Sequence, residues 1–252
     1  PQGIARRRRT HNATTIAVVT TYFSWATMPD VYYGRAFHGI NQQATDLGYS
    51  LVTTHLSGAF PTVQQTHAPE DSSRVIGAIF LGVFDERLIQ MHADAGYPVV
   101  CVDYWPSNPQ ADAVVADCFV EGQMAVEFLL QQGHSRLFYL GNLQNAGDRY
   151  IPERDAQLML AGCRQMIDEI NVPHVEPHVH FCRPFGDSLA HACDWFLSLA
   201  PRPTAGIVFN YDTMIAFKTF LHQRQIRCPA DISLVGKGFH GLDFDAAMIL
   251  TD

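Results

Sequence analysis

Three histidines lie close together in the chain, at His174, His178 and His180, and imidazole nitrogens are common zinc ligands. On a strand, His178 and His180 would share one face, because successive side chains alternate between the two sides. No pair of histidines at helical spacing accompanies them to complete a tetrahedral site. A solvated strand edge is therefore the favoured interpretation, and we predict that the chain binds no metal.

Two aspartates, Asp103 and Asp117, end apolar runs and stand where a catalytic carboxylate could stand. However, the sequence contains no G-x-S-x-G elbow, no H-E-x-x-H motif and no phosphate loop of the Walker type. His134 follows a glycine that ends a predicted helix, where a cation interacts favourably with the helix dipole, so it is interpreted as structural. We therefore predict that the chain is not an enzyme and that it needs no cofactor.

Composition narrows the class of protein further. The chain has 252 residues, of which 47% are hydrophobic and 17% are charged, so it can bury a core and is too apolar for disorder. The net charge of −8 argues against a nucleic-acid surface over the body as a whole. Six scattered cysteines form no C-x-x-C pair and fit buried thiols in a reducing cytosol. No signal peptide or run of transmembrane length is found, so a cytoplasmic protein without a membrane partner is expected.

A cluster of positive charge stands near the start of the chain, at Arg6, Arg7, Arg8 and Arg9. Such a segment is typical either of a disordered tail or of a basic arm that reaches the phosphate backbone of DNA. The sequence leaves both interpretations open.

Apolar, β-branched runs alternate with helical stripes along the rest of the chain, which predicts a doubly wound parallel α/β protein. Strands are predicted at residues 16–21, 49–54, 75–82, 98–103, 136–141, 178–181, 205–209 and 232–236. Helices are predicted at residues 33–47, 86–95, about 155–170, 188–199 and 214–225, with another ending at Gly133. The length suits two such halves, and ligands in this architecture bind outside the carboxyl ends of the strands.

Several segments resemble the lactose/galactose repressor (LacI/GalR) family of bacterial transcription regulators. The most specific is residues 229–236 (PADISLVG), which is similar to the family's "P.DISVVGFDD". Residues 98–103 (PVVCVD) look like its "PVVLID", residues 203–210 resemble its "PTAIF.AND", and residues 117–136 resemble its "D…G…A…HL…GHRRI". The resemblance spans almost the whole chain.

The resemblance implies an effector-binding core of the type I periplasmic-binding-protein fold, with two subdomains and a ligand cleft between them. We assign residues 1–15 to a hinge or basic arm, 16–141 to the N-terminal subdomain and 142–244 to the C-terminal subdomain. Residues 245–252 are expected to cross back toward the N-terminal subdomain, with the chain truncated there. The family's helix-turn-helix would precede Pro1. In the family, Asp103 and Asp117 would cap loops and helices.

The effector is expected to meet a set of aromatic side chains after the first strand, since aromatic faces stack against sugar rings or bases. These side chains are Phe23, Trp25, Tyr32 and Tyr33. For Trp25 and Tyr33, a role in the core or in a dimer contact is equally open.

The second half departs from the family where its effector-binding side chains should lie. The family's arginine is replaced by Met159, and the aspartate of "VGFDD" is replaced by Gly238. Asn210 is retained, whereas the aspartate that should follow it is displaced to Asp212. The remaining residues assigned to this site are Arg154, as a substitute for the missing arginine, and Phe185, and Asp243 could substitute for the missing aspartate.

We therefore predict that the chain is the effector-binding and dimerising core of a DNA-binding transcriptional regulator. A sugar or sugar-like ligand would alter operator binding through the hinge. The alternative is a free-standing small-molecule binding protein of the same fold. The predicted partners are the effector, operator DNA through a helix-turn-helix outside this sequence, and a second copy of the chain.

Overall fold

The computed structural model describes residues 15–21, 32–56, 75–83, 85–145, 149–171, 177–237 and 247–249. The chain divides into two compact units between Ala116 and Asp117. Each unit carries its own sheet of parallel strands, so the predicted α/β class with two subdomains matches the architecture of the described residues.

The first unit is a five-stranded parallel sheet with helices between its strands. The chain runs through β1 (Thr15–Thr21), α1 (Tyr32–Asp46), β2 (Ser50–Leu56), β3 (Val75–Leu81), α2 (Glu86–Asp94), β4 (Val99–Val102) and β5 (Ala111–Val114). The strand order is β2-β1-β3-β4-β5. The inner strands bury Val18, Val19 and Phe80 almost completely, as expected for parallel strands that are covered on both faces.

The second unit contains the other six strands and four helices of the described chain. In chain order these are α3 (Cys118–Gln131), β6 (Leu137–Asn145), β7 (Tyr150–Pro152), α4 (Arg154–Ile170), β8 (His178–Cys182), α5 (Gly186–Ser198), β9 (Ala205–Val208), α6 (Tyr211–Gln223), β10 (Ser233–Lys237) and β11 (Ala247–Ile249). The parallel strands follow the order β8-β6-β9-β10-β11. Strand β7 pairs antiparallel with the end of β6.

Aromatic packing forms the centre of the second unit. Phe138 on β6, Phe196 on α5 and Phe217 on α6 are fully buried, and their ring centroids lie 5.2–5.5 Å apart. Such tilted and edge-to-face pairs are the preferred geometry for aromatic rings. Through these rings, strand β6 packs against both α5 and α6 near its amino end.

The structure differs from the sequence prediction in several places. Helix α3 was assigned to the first half, with the boundary at residue 141, but it belongs to the second unit because it packs along α4. Residues 150–152 form a strand within the predicted loop. Residues 247–249, within the segment assigned to the crossover, form strand β11 beside β10. The short helix suggested in residues 57–73 lies outside the described residues.

Candidate functional site

Two predicted effector residues, Asn210 and Asp212, lie at the junction of β9 and α6, at the carboxyl edge of the second sheet. The Asn210 side-chain oxygen accepts a hydrogen bond from the backbone N–H of Thr213 at 2.8 Å, so Asn210 caps α6. Its amide nitrogen is the part that a ligand could contact. Asp212 lies in the first turn of the helix, and partial burial raises the pKa of its carboxyl group. A group that is desolvated in this way gains from a hydrogen-bond donor supplied by a ligand.

A second turn at this edge, between β8 and α5, presents an aromatic side chain and a cation. Phe185 precedes the first residue of α5 and is 63% exposed. The guanidinium of Arg183 lies over the ring of Tyr150, 4.3 Å from its centroid, and donates a hydrogen bond to the Tyr150 hydroxyl at 3.1 Å. Sequence reasoning missed this contact, because Tyr150 lies on a hairpin far from Arg183 along the chain.

The third turn at this edge joins β6 and β7 to α4. The Asn142 side chain donates a hydrogen bond to Glu153 at 2.6 Å, and the Glu153 backbone N–H donates to the Asn142 carbonyl at 2.9 Å. Arg154 is the first residue of α4 and is exposed. The structure therefore places Arg154 at the same edge as Phe185, Asn210 and Asp212.

Met159 cannot serve the effector as predicted. It is fully buried on the side of α4 that faces α3. The two helices approach so closely that a Cβ atom on Gly122 would lie 2.0 Å from the Met159 carbonyl oxygen. Its position, three residues before Gly162, lies on the packed face of the helix, so Met159 is a core residue.

A charged cluster that the sequence did not predict lies beneath the same edge. The ammonium of Lys237, at the end of β10, lies 3.3 Å from Glu121 and 3.2 Å from the sulfur of Cys118. It also lies 5.0 Å from the centroid of the Phe209 ring. Glu121 is only 2% exposed, and burial raises the pKa of the Cys118 thiol to about 12. The lysine therefore points its charge inward, at a buried carboxylate.

The first unit carries one corresponding polar pair. The Tyr33 hydroxyl on α1 donates a hydrogen bond of 2.6 Å to the carboxylate of Asp103, directly after β4. Asp103 has a φ of 63°, a left-handed conformation that aspartate adopts more readily than most residues. The structure thus brings the predicted Tyr33 to Asp103, an aspartate interpreted from sequence as structural. Asp117 does have such a role, because it caps α3.

Several predicted site residues lie outside what the structure describes. These are Phe23, Trp25, Gly238, Asp243 and the arginines Arg6, Arg7, Arg8 and Arg9. For Tyr32 only the backbone, at the start of α1, is described.

Over the described residues, no group of three histidine, cysteine or acidic side chains could hold a metal ion. The His180 ring instead stacks on Trp195, with centroids 4.9 Å apart, and burial lowers its pKa. A surface groove of about 610 Å³ runs along α4 and β8, but no predicted effector residue lines it. Among the described helices, none is long and apolar enough to cross a membrane.

Comparison with known proteins gives a consistent result. A family model described as a periplasmic binding protein-like domain matches residues 126–241. The HTH-type transcriptional repressor PurR of Vibrio atlanticus (strain LGP32) is 24% identical over 241 residues, which cover 94% of this chain and 68% of the repressor. The described α/β fold is also that of a LacI transcriptional regulator from a Rhodococcus species, with a TM-score of 0.70 and 22% identity over 88% of this chain and 77% of that one.

A second solved structure has the same fold. It is a sugar-binding transcriptional regulator of the LacI family from Escherichia coli, complexed with phosphate, with a TM-score of 0.65 and 18% identity over 89% of this chain and 78% of that one. These likenesses confirm the predicted fold class. The homologues are transcriptional repressors and not enzymes, in agreement with the prediction of a non-catalytic protein.

Proposed function

Because this chain carries a periplasmic-binding-protein-like domain and its homologues are PurR-type repressors of the LacI family, we propose that it is the effector-binding core of a DNA-binding transcriptional regulator. The observation that carries the proposal is the position of its polar and aromatic side chains. In both units they lie at the carboxyl ends of parallel strands, where α/β proteins bind ligands.

We propose a small polyhydroxylated effector, a sugar or a related compound. In the first unit, the paired Tyr33 and Asp103 offer a hydroxyl and a carboxylate to ligand hydroxyl groups. In the second unit, Asn210 and Asp212 offer polar groups, and the exposed ring of Phe185 offers an apolar face. A structural neighbour is itself described as sugar-binding. The position of the effector between the two units stays a prediction.

We further propose that effector binding changes the affinity of the protein for operator DNA. A ligand that binds one conformation better shifts the protein toward it, and coupling energies in such systems are about 1–3 kcal/mol, or roughly 5- to 150-fold in affinity. The basic segment Arg6–Arg9 would contact the DNA backbone. A homodimer would match the symmetry of a palindromic operator. The protein would act in the cytoplasm.

The test combines ligand binding with DNA binding. A thermal-shift screen of monosaccharides, sugar phosphates and nucleosides identifies a ligand, because a compound that binds only the folded chain raises its melting temperature. Fluorescence anisotropy then measures how that ligand changes the operator affinity of the protein that contains this chain.

The matched variants for this test are Asp103→Asn and Asp94→Asn. Asp94 is exposed at the end of α2, and among the described residues it accepts a side-chain hydrogen bond only from Gln90 on the same helix. Loss of the thermal shift in Asp103→Asn, with Asp94→Asn unchanged, is the expected result. A ligand that binds normally without altering DNA affinity would favour the alternative of a free-standing binding protein.

A further inference from the structure

We propose that Arg183 binds an anionic group of the effector, a carboxylate or a phosphate. This inference rests on the proposed function, because it places the anion at the same carboxyl edge of the second unit. It assigns the cationic role to the turn after β8, whereas the resemblance would place it on α4, at a position that Met159 occupies.

The charged side chains at this edge differ in whether a carboxylate already neutralises them. Lys237 is paired with the buried Glu121, so its ammonium is already neutralised by a carboxylate. Met159 is uncharged and fully buried. Arg183, by contrast, makes no ion pair with any carboxylate in the part of the chain that the structure describes.

Two contacts fix the backbone and the side chain of Arg183. The backbone N–H of Arg183 donates a hydrogen bond to the Ser188 hydroxyl at 3.0 Å, which fixes the turn. The guanidinium is oriented by Tyr150, to which it gives one N–H at 3.1 Å while stacking on the ring. A guanidinium has five N–H donors in a rigid fork, so a pre-oriented Arg183 retains donors for a two-pronged contact with a carboxylate or phosphate.

The start of helix α5 contributes to the electrostatic potential around Arg183. Helix α5 begins at Gly186, and the residue before it, Phe185, provides no side-chain hydrogen bond to the first turn. The N–H groups of that turn add positive potential to the charge of Arg183. Asp187 in the same turn offsets part of it. Since the whole chain carries a net charge of −8, the attraction for an anion must be local to this turn.

The experiment uses pairs of probes that differ only in charge. These are glucose with glucose 6-phosphate, ribose with ribose 5-phosphate, and galactose with galacturonate. Titration calorimetry on the chain gives the Kd of each. We expect an anionic member to bind at least about tenfold more tightly than its neutral partner, as charge-assisted hydrogen bonds imply. Its Kd should rise with salt, whereas that of the neutral sugar should not. The phosphate and carboxylate pairs separate the two kinds of anion.

The decisive variants are Arg183→Gln and Arg224→Gln. Arg224 also stacks on an aromatic ring, that of Phe220, but it follows the C-terminal end of α6, away from the carboxyl edge. Arg183→Gln should raise the Kd of the anionic probe by about 10- to 100-fold and leave the Kd of its neutral partner unchanged. Arg183→Lys should restore only part of the affinity, because an ammonium lacks the planar fork. Arg224→Gln should bind like the wild type.

Two results would overturn the inference. If the neutral sugars bind as tightly as the anionic ones, or if Arg183→Gln binds the anion normally, Arg183 has no such role while the proposed function stands. If none of the six probes binds and no compound of the wider thermal-shift screen does, the proposed function itself fails, and the inference fails with it.

Discussion

The structure shows which contacts the side chain of His134 makes. It was interpreted from the sequence as a structural cation at the end of a helix. Its two ring nitrogens instead make hydrogen bonds of 3.1 Å and 2.9 Å with the hydroxyls of Thr204 and Ser233. These residues stand at the amino ends of β9 and β10, while His134 itself precedes β6. The ring therefore joins three strands at the edge opposite the candidate site, and burial lowers its pKa.

His134 should make the stability of the chain depend on pH. Because the folded-state pKa lies below the ordinary value of 6.5, the unfolded chain binds more protons as the pH falls through that value. The free energy of unfolding should therefore be highest above pH 6.5 and should fall as the pH drops below that value. Urea unfolding at about pH 7.5 and 5.5 measures this.

The matched variants are His134→Gln and His180→Gln, since burial lowers the pKa of His180 as well. The free energy of unfolding of His134→Gln should be lower than that of the wild type by about 1–2 kcal/mol at neutral pH. It should also depend less on pH. Asp231 should not contribute to the change between these two pH values. Arg227 holds the pKa of its carboxyl group well below the usual value, so it titrates at more acidic pH. An unchanged pH profile in both histidine variants would contradict this assignment.

The ion pair of Lys237 and Glu121 leads to a second prediction at this scale. Lys237→Met should lower the free energy of unfolding by about 3 kcal/mol, because a carboxylate that is 2% exposed loses its ammonium partner. The double variant Glu121→Gln/Lys237→Met should recover most of that loss. Denaturant unfolding measures both, and equal losses in the single and double variants would show that the pair contributes by packing alone.

At the scale of elements, the crossing of α3 and α4 holds the second unit together. A Cβ atom on Gly122 would lie 2.0 Å from the Met159 carbonyl, and one on Gly162 would lie 1.9 Å from the Phe119 carbonyl. Both obstacles are backbone atoms, so neither helix can yield by turning a side chain. This contact explains why α3 belongs to the second unit and why Met159 is unavailable to a ligand.

Gly122→Ala and Gly162→Ala should therefore destabilise the chain by about 1–3 kcal/mol or more, because the helices must separate to admit a methyl group. Gly39→Ala on α1 is the control. A Cβ there meets nothing within 4 Å, and alanine favours a helix by up to about 1 kcal/mol. Denaturant unfolding compares the three. Similar effects at all three positions would mean that helix propensity, and not the crossing, decides the result.

At the scale of the whole molecule, the two units share one strand order. The first is β2-β1-β3-β4-β5, and the second is β8-β6-β9-β10-β11, with β7 as an addition at the end of β6. Each unit thus has its own core and its own carboxyl edge. In the second unit, Asn210, Asp212 and Lys237 lie at that edge, and His134 lies at the other.

Effector binding should stabilise the folded chain through mass action. A ligand at about one hundred times its Kd should raise the free energy of unfolding by about 2.7 kcal/mol, provided that it binds the folded state alone. Urea unfolding with and without the ligand measures this. A compound that altered operator binding of the whole protein while leaving this chain's stability unchanged would have to bind elsewhere.

The sequence by itself determined the alternation of strands and helices, because side-chain periodicity reports which face of an element is buried. Most described helices and strands lie at the predicted positions. Asn210, Phe185 and Arg154 lie at the carboxyl edge, and their role in effector binding stays a prediction. Only the tertiary structure decided that Met159 is a core residue, that Lys237 faces Glu121, and that Arg183 rests on Tyr150. These facts depend on contacts between residues far apart in the chain, and local patterns carry no information about which distant elements meet.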